Sequence, residues 1–546
     1  MSRLVADLLA LGHELVETHV SWVFLSEGRA FKVKKPVSLG FLDFSSLEAR
    51  RVACEREVVL NRRYSPAVYL GVVPVVLRHG VHRLGGAGPV VDWAVEMVRL
   101  PSDARADVLL RRLALDRTEV RAIAECVASF HEQATVNLAT ARAGSREAIE
   151  ANVRENFRQA SDLAAALIGE RAARAIEVAQ LGFLARESER FDERVRRQRV
   201  RDTHGDLRLE QIYLLRAPDG RIDVTLTDCI EFDDRYRHAD VCADIAFLAM
   251  DLFANDRADL AEHCIGCYAI AADDFDAYRV VDFYLGYRAY VRAKIAALVA
   301  CDEQAPAHVR REKQREARRL FLLALAFTRP SLHPSSIVCV GGVVGAGKST
   351  VAELIAGELA APVVSTDRVR RRLAREDRPA FRRPALPFRG AYRSSTTAAV
   401  YRAVLERAQL VVSSGRAVVV DASFRSRWLR RSFLSRVRER PWLFVECRAP
   451  FELCRERVRA RYESGAAESD AHPAMVDEFL ERWQPVVELD RDHHVVVDTS
   501  HDAATVRRIV RVAIRTWLAR GRRPGRMDRR PHAPAPATLA DESAAR

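Results

Sequence analysis

Ten residues, Gly341 to Thr350 (GGVVGAGKST), restrict this chain more than any other stretch. They fit G-x-x-x-x-G-K-[ST], running from Gly342 through Val343, Val344, Gly345 and Ala346 to Gly347, Lys348 and Ser349. The apolar, β-branched run Ile337-Val338-Cys339-Val340 comes before it and reads as a buried parallel strand. Val351 to Ala356 follows and reads as a helix. Strand, glycine loop and helix together form a phosphate-binding loop. Its glycines let backbone N–H groups converge on phosphate oxygens, and the helix N-terminus adds partial positive charge. Lys348 is expected to reach the β- and γ-phosphates of ATP, and the Ser349 hydroxyl to hold Mg²⁺.

Four more apolar runs follow, Pro362–Thr366, Arg416–Asp421, Leu443–Cys447 and His494–Asp498, with helices between them. This alternation predicts an α/β domain with an open parallel sheet over residues 335–520, its site at the strand C-termini. Asp367 and Asp421 fall at that edge. A carboxylate after the second strand can hold an acceptor hydroxyl and take its proton, which makes Asp367 the catalytic candidate. Asp421 stands where such a fold tethers Mg²⁺. Arg455, Arg457, Arg459 and Arg461 precede a polar stretch, Tyr462–Asp470, suited to a lid. Arg459 is the expected contact to the phosphates, with Arg461 as the alternative. Pro, Arg and Ala dominate residues 521–546, which are expected to be disordered.

At 546 residues the chain exceeds a single core. No apolar run is long enough to span a membrane. The ten cysteines are scattered through apolar segments, as thiols are in a reducing cytoplasm. His263, Cys264 and Cys267 lack a second cysteine pair and read as a core helix rather than a zinc site. The net charge of +13 invites nucleic acid as partner, but the arginines mostly stand beside Asp or Glu, as on solvated helix faces. A small molecule is the expected partner.

The first 330 residues read differently. Ser21–Leu25 and Ala30–Lys34 predict a hairpin in which Ala30, Lys32 and Lys34 share a face. A small residue followed two places on by Lys is how a kinase strand presents its phosphate lysine, here Lys32 with Lys34 in reserve. A helix from Ser46 to Arg62 carries Glu57 as the expected partner of Lys32, with Glu55 next. Two further strands close this N-terminal lobe at about residue 100, and residues 102–330 are mostly helical. His131 reads as a packed histidine, and Tyr287–Lys294 as a helix with its arginines in solvent. The chemistry appears at His204-Gly205-Asp206-Leu207-Arg208, then Glu210-Gln211, then Asp228. Asp206 is placed to take or orient a hydroxyl proton, Arg208 to offset phosphoryl charge, and Gln211 and Asp228 to bind Mg²⁺.

His204-Gly205-Asp206, Asp228, Asp240 and Asp244-Ile245-Ala246 resemble the aminoglycoside phosphotransferase family, whose fold is kinase-like. Ser21–Leu25, Phe31–Pro36, Phe41–Phe44 and Glu231–Asp234 narrow the resemblance. They look like bacterial proteins that fuse such a domain to a P-loop kinase-like domain. The second half resembles small P-loop kinases of the polynucleotide-kinase and gluconate-kinase type. The resemblance implies an α+β kinase-like two-lobe domain over 1–330, then the P-loop domain, and ATP-dependent transfer to a small-molecule hydroxyl. It does not name an antibiotic as substrate. The kinase-like pattern has Asn where this chain has Gln211, and the extra methylene shifts a ligand that Mg²⁺ needs at about 2.1 Å. The first domain therefore either phosphorylates with an altered metal site or binds nucleotide as a pseudo-kinase in a regulator. Action on nucleic-acid ends is a third reading.

Overall fold

Polar and apolar residues alternate near the N-terminus and give an antiparallel sheet, whereas unbroken apolar runs give a parallel one further on. The computed structural model describes residues 3–18, 20–38, 42–329, 335–375, 394–463 and 476–521. The first sheet holds β1 (Glu14–Glu17), β2 (Ser21–Ser26), β3 (Arg29–Lys34), β4 (Tyr69–Arg78), β5 (Val81–Leu84) and β6 (Val90–Val98). Their order is β1-β2-β3-β6-β4-β5, every neighbouring pair antiparallel. Glu27 and Gly28 turn β2 into β3, with Gly28 at φ +71°. The two edge strands, β1 and β5, escape the sequence reading because they are short and carry no apolar alternation.

The Leu47–Asn61 helix packs on β4 and β6. The Ser46 side chain caps it, accepting from the Ala49 N–H at 3.1 Å. Long helices then dominate, among them Arg117–Gln133, Val241–Ala254, Ala258–Ala271, Val281–Cys301 and Ala307–Ala326. Two short ribbons interrupt them. β7 (Val200–Asp202) pairs with β10 (His238–Asp240), and β8 (Ile212–Arg216) with β9 (Ile222–Leu226). The second ribbon begins just after Gln211 and ends two residues before Asp228, which brings those two positions together.

The parallel sheet contains β11 (Ile337–Gly341), β12 (Val363–Ser365), β13 (Val418–Asp421), β14 (Trp442–Arg448) and β15 (His494–Asp498), ordered β12-β13-β11-β14-β15. Every residue of β11 is buried. Period-two geometry explains the sharing of its side chains. Ile337 and Cys339 join one apolar cluster with Val127, Phe247 and Tyr268 of the helical region. Val338 and Val340 face the other way, onto Val351, Ile355 and Val510. On that side the Ser394–Ser413 helix packs on β12 and β13, and the Ala258–Ala271 helix of the helical region touches β12.

One expectation needs correction. Arg288 is not solvated: it is 7% exposed, donates to the Ala243 carbonyl at 3.2 Å and lies 4.6 Å over the Phe247 ring. Helical period alone cannot separate a surface arginine from one that stacks inward. The lid stretch from residue 464 to 470 and the tail from 522 lie outside the described residues. No described helix is long and apolar enough to cross a membrane.

Candidate functional site

The Gly342–Thr350 loop leaves β11 where the strand order reverses between β13 and β14, the position at which open α/β sheets form a crevice. Glycine is required there. A Cβ on Gly345, at φ +82°, would stand 2.4 Å from the Cys454 carbonyl oxygen, and one on Gly342 would stand 2.6 Å from that of Cys447. The Lys348–Leu359 helix starts directly after Gly347, inside the motif. Lys348 Nζ turns back onto the Val343 carbonyl at 2.9 Å, and Ser349 Oγ donates to Asp421 Oδ2 at 2.8 Å. Asp421 is 6% exposed. Burial raises its pKa, and the nearby Lys348 charge and the Ser349 hydrogen bond offset this only in part.

These groups open on a cavity of about 580 Å³, with Val344, Gly345, Gly347, Lys348, Ser349 and Thr350 in its wall. Asp367 lines the same cavity from the first turn of the Thr366–Arg375 helix, where Arg370 Nη1 reaches it at 3.2 Å. Arg459 does not line it and is exposed; Arg457 and Arg461, one turn apart on the Phe451–Glu463 helix, do. The sequence reading also passed over Thr499, Tyr401 and Arg425 in the lining. Thr499 Oγ1 ties the loop to β14 and β15, bonding the Ala346 carbonyl at 3.0 Å and the Arg448 carbonyl at 3.1 Å. Its only sequence signal is its place one residue beyond a strand end.

A second constellation lies in the N-terminal half. Lys32 and Lys34 share a face of β3 and converge on Glu57. Lys32 Nζ lies 3.0 Å from Glu57 Oε1 and also pairs with Asp228, while Lys34 pairs with Glu57 and Glu231. Charges alternate along Asp228–Lys32–Glu57–Lys34–Glu231. Burial works against the Lys32 ammonium, but the Asp228 and Glu57 carboxylates outweigh it and hold its pKa well above the usual value. Burial likewise works against the Asp228 carboxylate, yet Lys32 brings it down to about 2. Glu55 is occupied elsewhere, on half-buried Arg51.

Asp206 is held by the fork of Arg208, two bonds of 2.9 Å each, and Arg208 also pairs with Glu210. Gln211 Nε2 lies 3.5 Å from Asp228 Oδ2. The loop bearing Asp206 is fixed from beneath by Asp244, which accepts the His204 N–H at 2.7 Å and the Gly205 N–H at 2.9 Å. His131 Nε2 lies 3.3 Å from the same carboxylate, and its Nδ1 is 2.8 Å from Tyr268 Oη. Thus Lys32, Glu57, Gln211 and Asp228 come together, whereas Asp206 and Arg208 face each other.

Other proteins match parts of this chain or most of it. A domain family described as AAA domain matches residues 337–486, from β11 onward. Uncharacterized protein Rv2004c of Mycobacterium tuberculosis and uncharacterized protein Mb2027c of Mycobacterium bovis are each 34% identical to the chain over 450 residues. The alignment covers 82% of this chain and 85% of each relative. The chain belongs to their family. The match is long enough to include both constellations in part, since each lies within one half of the sequence. Among solved structures, a gluconokinase from Sinorhizobium meliloti is 23% identical, covering 35% of this chain and 94% of its own, with a TM-score of 0.25. A choline/ethanolamine kinase family protein from Mesorhizobium loti is 13% identical over 58% of this chain and 92% of its own, with a TM-score of 0.34.

Proposed function

We propose that this protein is a cytoplasmic ATP-dependent phosphotransferase built as a kinase-like domain over residues 1–330 and a P-loop kinase domain over 335–520. The observation that carries the reading is the shared cavity of Lys348, Ser349, Asp421 and Asp367. Phosphate-cradling groups and a carboxylate for an acceptor hydroxyl, held by Arg370 at 3.2 Å, thereby face one space. Lys348 exchanges the Val343 carbonyl for phosphate oxygens, and Arg457 or Arg461 approaches the transferring group from the opposite wall. Asp367 orients the acceptor hydroxyl and takes its proton as the phosphoryl group leaves ADP. The buried Asp421 with its hydroxyl donor fits a cation site, so Ser349 and Asp421 would hold Mg²⁺. When bound, that ion neutralises charge on the phosphates. The acceptor is a small hydroxyl-bearing molecule.

Lys32, Glu57, Asp228 and Gln211 would form the second nucleotide site. The Arg208 fork on Asp206 favours a regulatory reading of that site, because a proton acceptor held at both oxygens must first be released. A panel of metabolites and aminoglycosides with γ-labelled ATP, run on wild type, Lys348→Ala and Asp206→Ala, separates the readings. Loss in Lys348→Ala alone supports the P-loop centre with a regulatory first domain. Loss in Asp206→Ala alone moves the chemistry to the first domain, and turnover unchanged in both refutes the site assignment.

A further inference from the structure

A separate cavity of about 280 Å³ lies where the helical region meets the edge of the parallel sheet. The Arg117–Gln133 and Ala258–Ala271 helices form one wall, and β12 with the Thr366–Arg375 helix forms the other. Arg117, Arg121, Arg368, Arg371 and Arg372 line it against three carboxylates, Glu125, Asp273 and Glu353.

Two of those carboxylates are already shared. Asp273 receives the fork of Arg407 at 2.6 and 2.8 Å and lies 3.8 Å from Arg372. Glu353 meets Arg121 at 3.1 Å and Arg368 at 4.0 Å. Arg117 and Arg371 make no ion pair with any described residue. Arg117 donates instead to His263 Nδ1 at 2.8 Å, and His263 Nε2 faces the Arg117 carbonyl at 3.0 Å. With Nδ1 accepting and Nε2–H donating, that ring is neutral and cancels no charge. Burial, then the Arg117 charge, lowers the His263 pKa to about 4, so the ring stays neutral at ordinary pH. The half-buried cavity therefore carries more positive than negative charge, from two walls that face each other.

We propose that this cavity binds a small phosphate-bearing anion, gripped by Arg117 from the helical wall and by Arg371 from the sheet wall. A tetrahedral oxyanion accepts from several directions at once and suits guanidinium groups converging from separate helices, where a carboxylate offers oxygens in only one plane. The volume admits inorganic phosphate or a compact phosphomonoester and excludes a polymer strand. The Thr366–Arg375 helix stands between the two cavities. Asp367 and Arg370 line the larger one, while Arg368, Arg371 and Arg372 line the smaller. An anion in the smaller cavity thus holds the helix that positions Asp367. This bearing on turnover rests on the role proposed for Asp367; the binding itself does not.

The test uses the full chain saturated with a non-hydrolysable ATP analogue and Mg²⁺, so that every phosphate position of the Gly342–Thr350 loop is filled. Inorganic phosphate is titrated against sodium chloride at equal ionic strength, following the melting temperature and the phosphorus NMR linewidth. The expected result is a saturable rise in melting temperature with phosphate beyond that with chloride. In Arg371→Gln and Arg117→Met the apparent phosphate affinity falls at least tenfold, while affinity for the analogue stays within twofold of wild type. Arg371→Gln alters a half-exposed side chain and keeps the test open should Arg117→Met fold poorly. Equal effects of phosphate and chloride on wild type overturn the proposal, as does an undiminished phosphate effect in Arg371→Gln. A kinase activity that fails to appear leaves this result standing, so the two proposals fail separately.

Discussion

Asp421 and Asp244 are both buried carboxylates, and their partners send them in opposite directions. Asp421 has one hydroxyl donor and a nearby lysine, so burial prevails and its pKa rises. In its proposed role as a cation ligand it must be ionised. Mg²⁺-dependent nucleotide affinity is therefore expected to weaken on acidification while ordinary surface carboxylates are still charged. Asp421→Asn should lower the affinity and flatten the pH dependence, read by titration with a fluorescent nucleotide. Asp244 also pays desolvation on burial, but His131 and the positive groups around it prevail, and its pKa falls from 3.8 to about 2. A depressed native pKa gives stability that is complete above the unfolded value and is lost as pH falls through the folded one. Asp244 thus contributes about 2 kcal/mol above roughly pH 4, fading toward pH 2. Urea unfolding of Asp244→Asn should show that loss at neutral pH and converge with wild type in acid. Identical wild-type and variant curves at neutral pH would contradict it.

At the scale of the element, the loop after β11 depends on left-handed backbone that only glycine takes without strain. Gly345→Ala combines φ +82° with a Cβ 2.4 Å from a backbone oxygen. The expected cost is about 1–3 kcal/mol of stability together with lost nucleotide binding, since the clash lies in the cradle itself. A variant that binds nucleotide as wild type does would refute the cradle. This element was the most legible in the sequence, because its motif and its flanking strand and helix are local. Lys32 and Glu57 were legible for a similar reason: period two in β3 and helical spacing around Glu57 each leave few choices. The second lysine was harder. Nothing local shows that Lys34 bridges Glu57 to Glu231, a partner 197 positions away in sequence. Arg457 likewise differs from Arg459 only in which helix face meets the cavity, and that depends on how the whole helix docks.

For the molecule as a whole, charges join the two halves alongside the apolar cluster. Arg416, ahead of β13, pairs with Glu262 at 2.7 Å and Asp282 at 2.7 Å, both on helices of the first half. Its side chain is only 12% exposed. Removing it leaves Glu262, 20% exposed, and Asp282, 44% exposed, without their partner; water screens part of that charge, so the cost is about 1–2 kcal/mol. Arg416→Met is expected to lower the melting temperature and to resolve calorimetric unfolding into two transitions. A single unshifted transition would show that the contact carries little.

The close approach of Gly266 to Pro362 has a practical outcome for anyone dividing this chain. A Cβ on Gly266 would sit 3.3 Å from the Pro362 ring, so the Ala258–Ala271 helix lies directly against the start of β12, an outer strand of its sheet. A C-terminal fragment made alone would present that rim, with Val364 and Val369 beside it, to water. Such an uncovered edge invites self-association, and the fragment is expected to precipitate or to form soluble aggregates visible by light scattering. Gly266→Leu, which wedges the same seam, should mimic the fragment without shortening the chain.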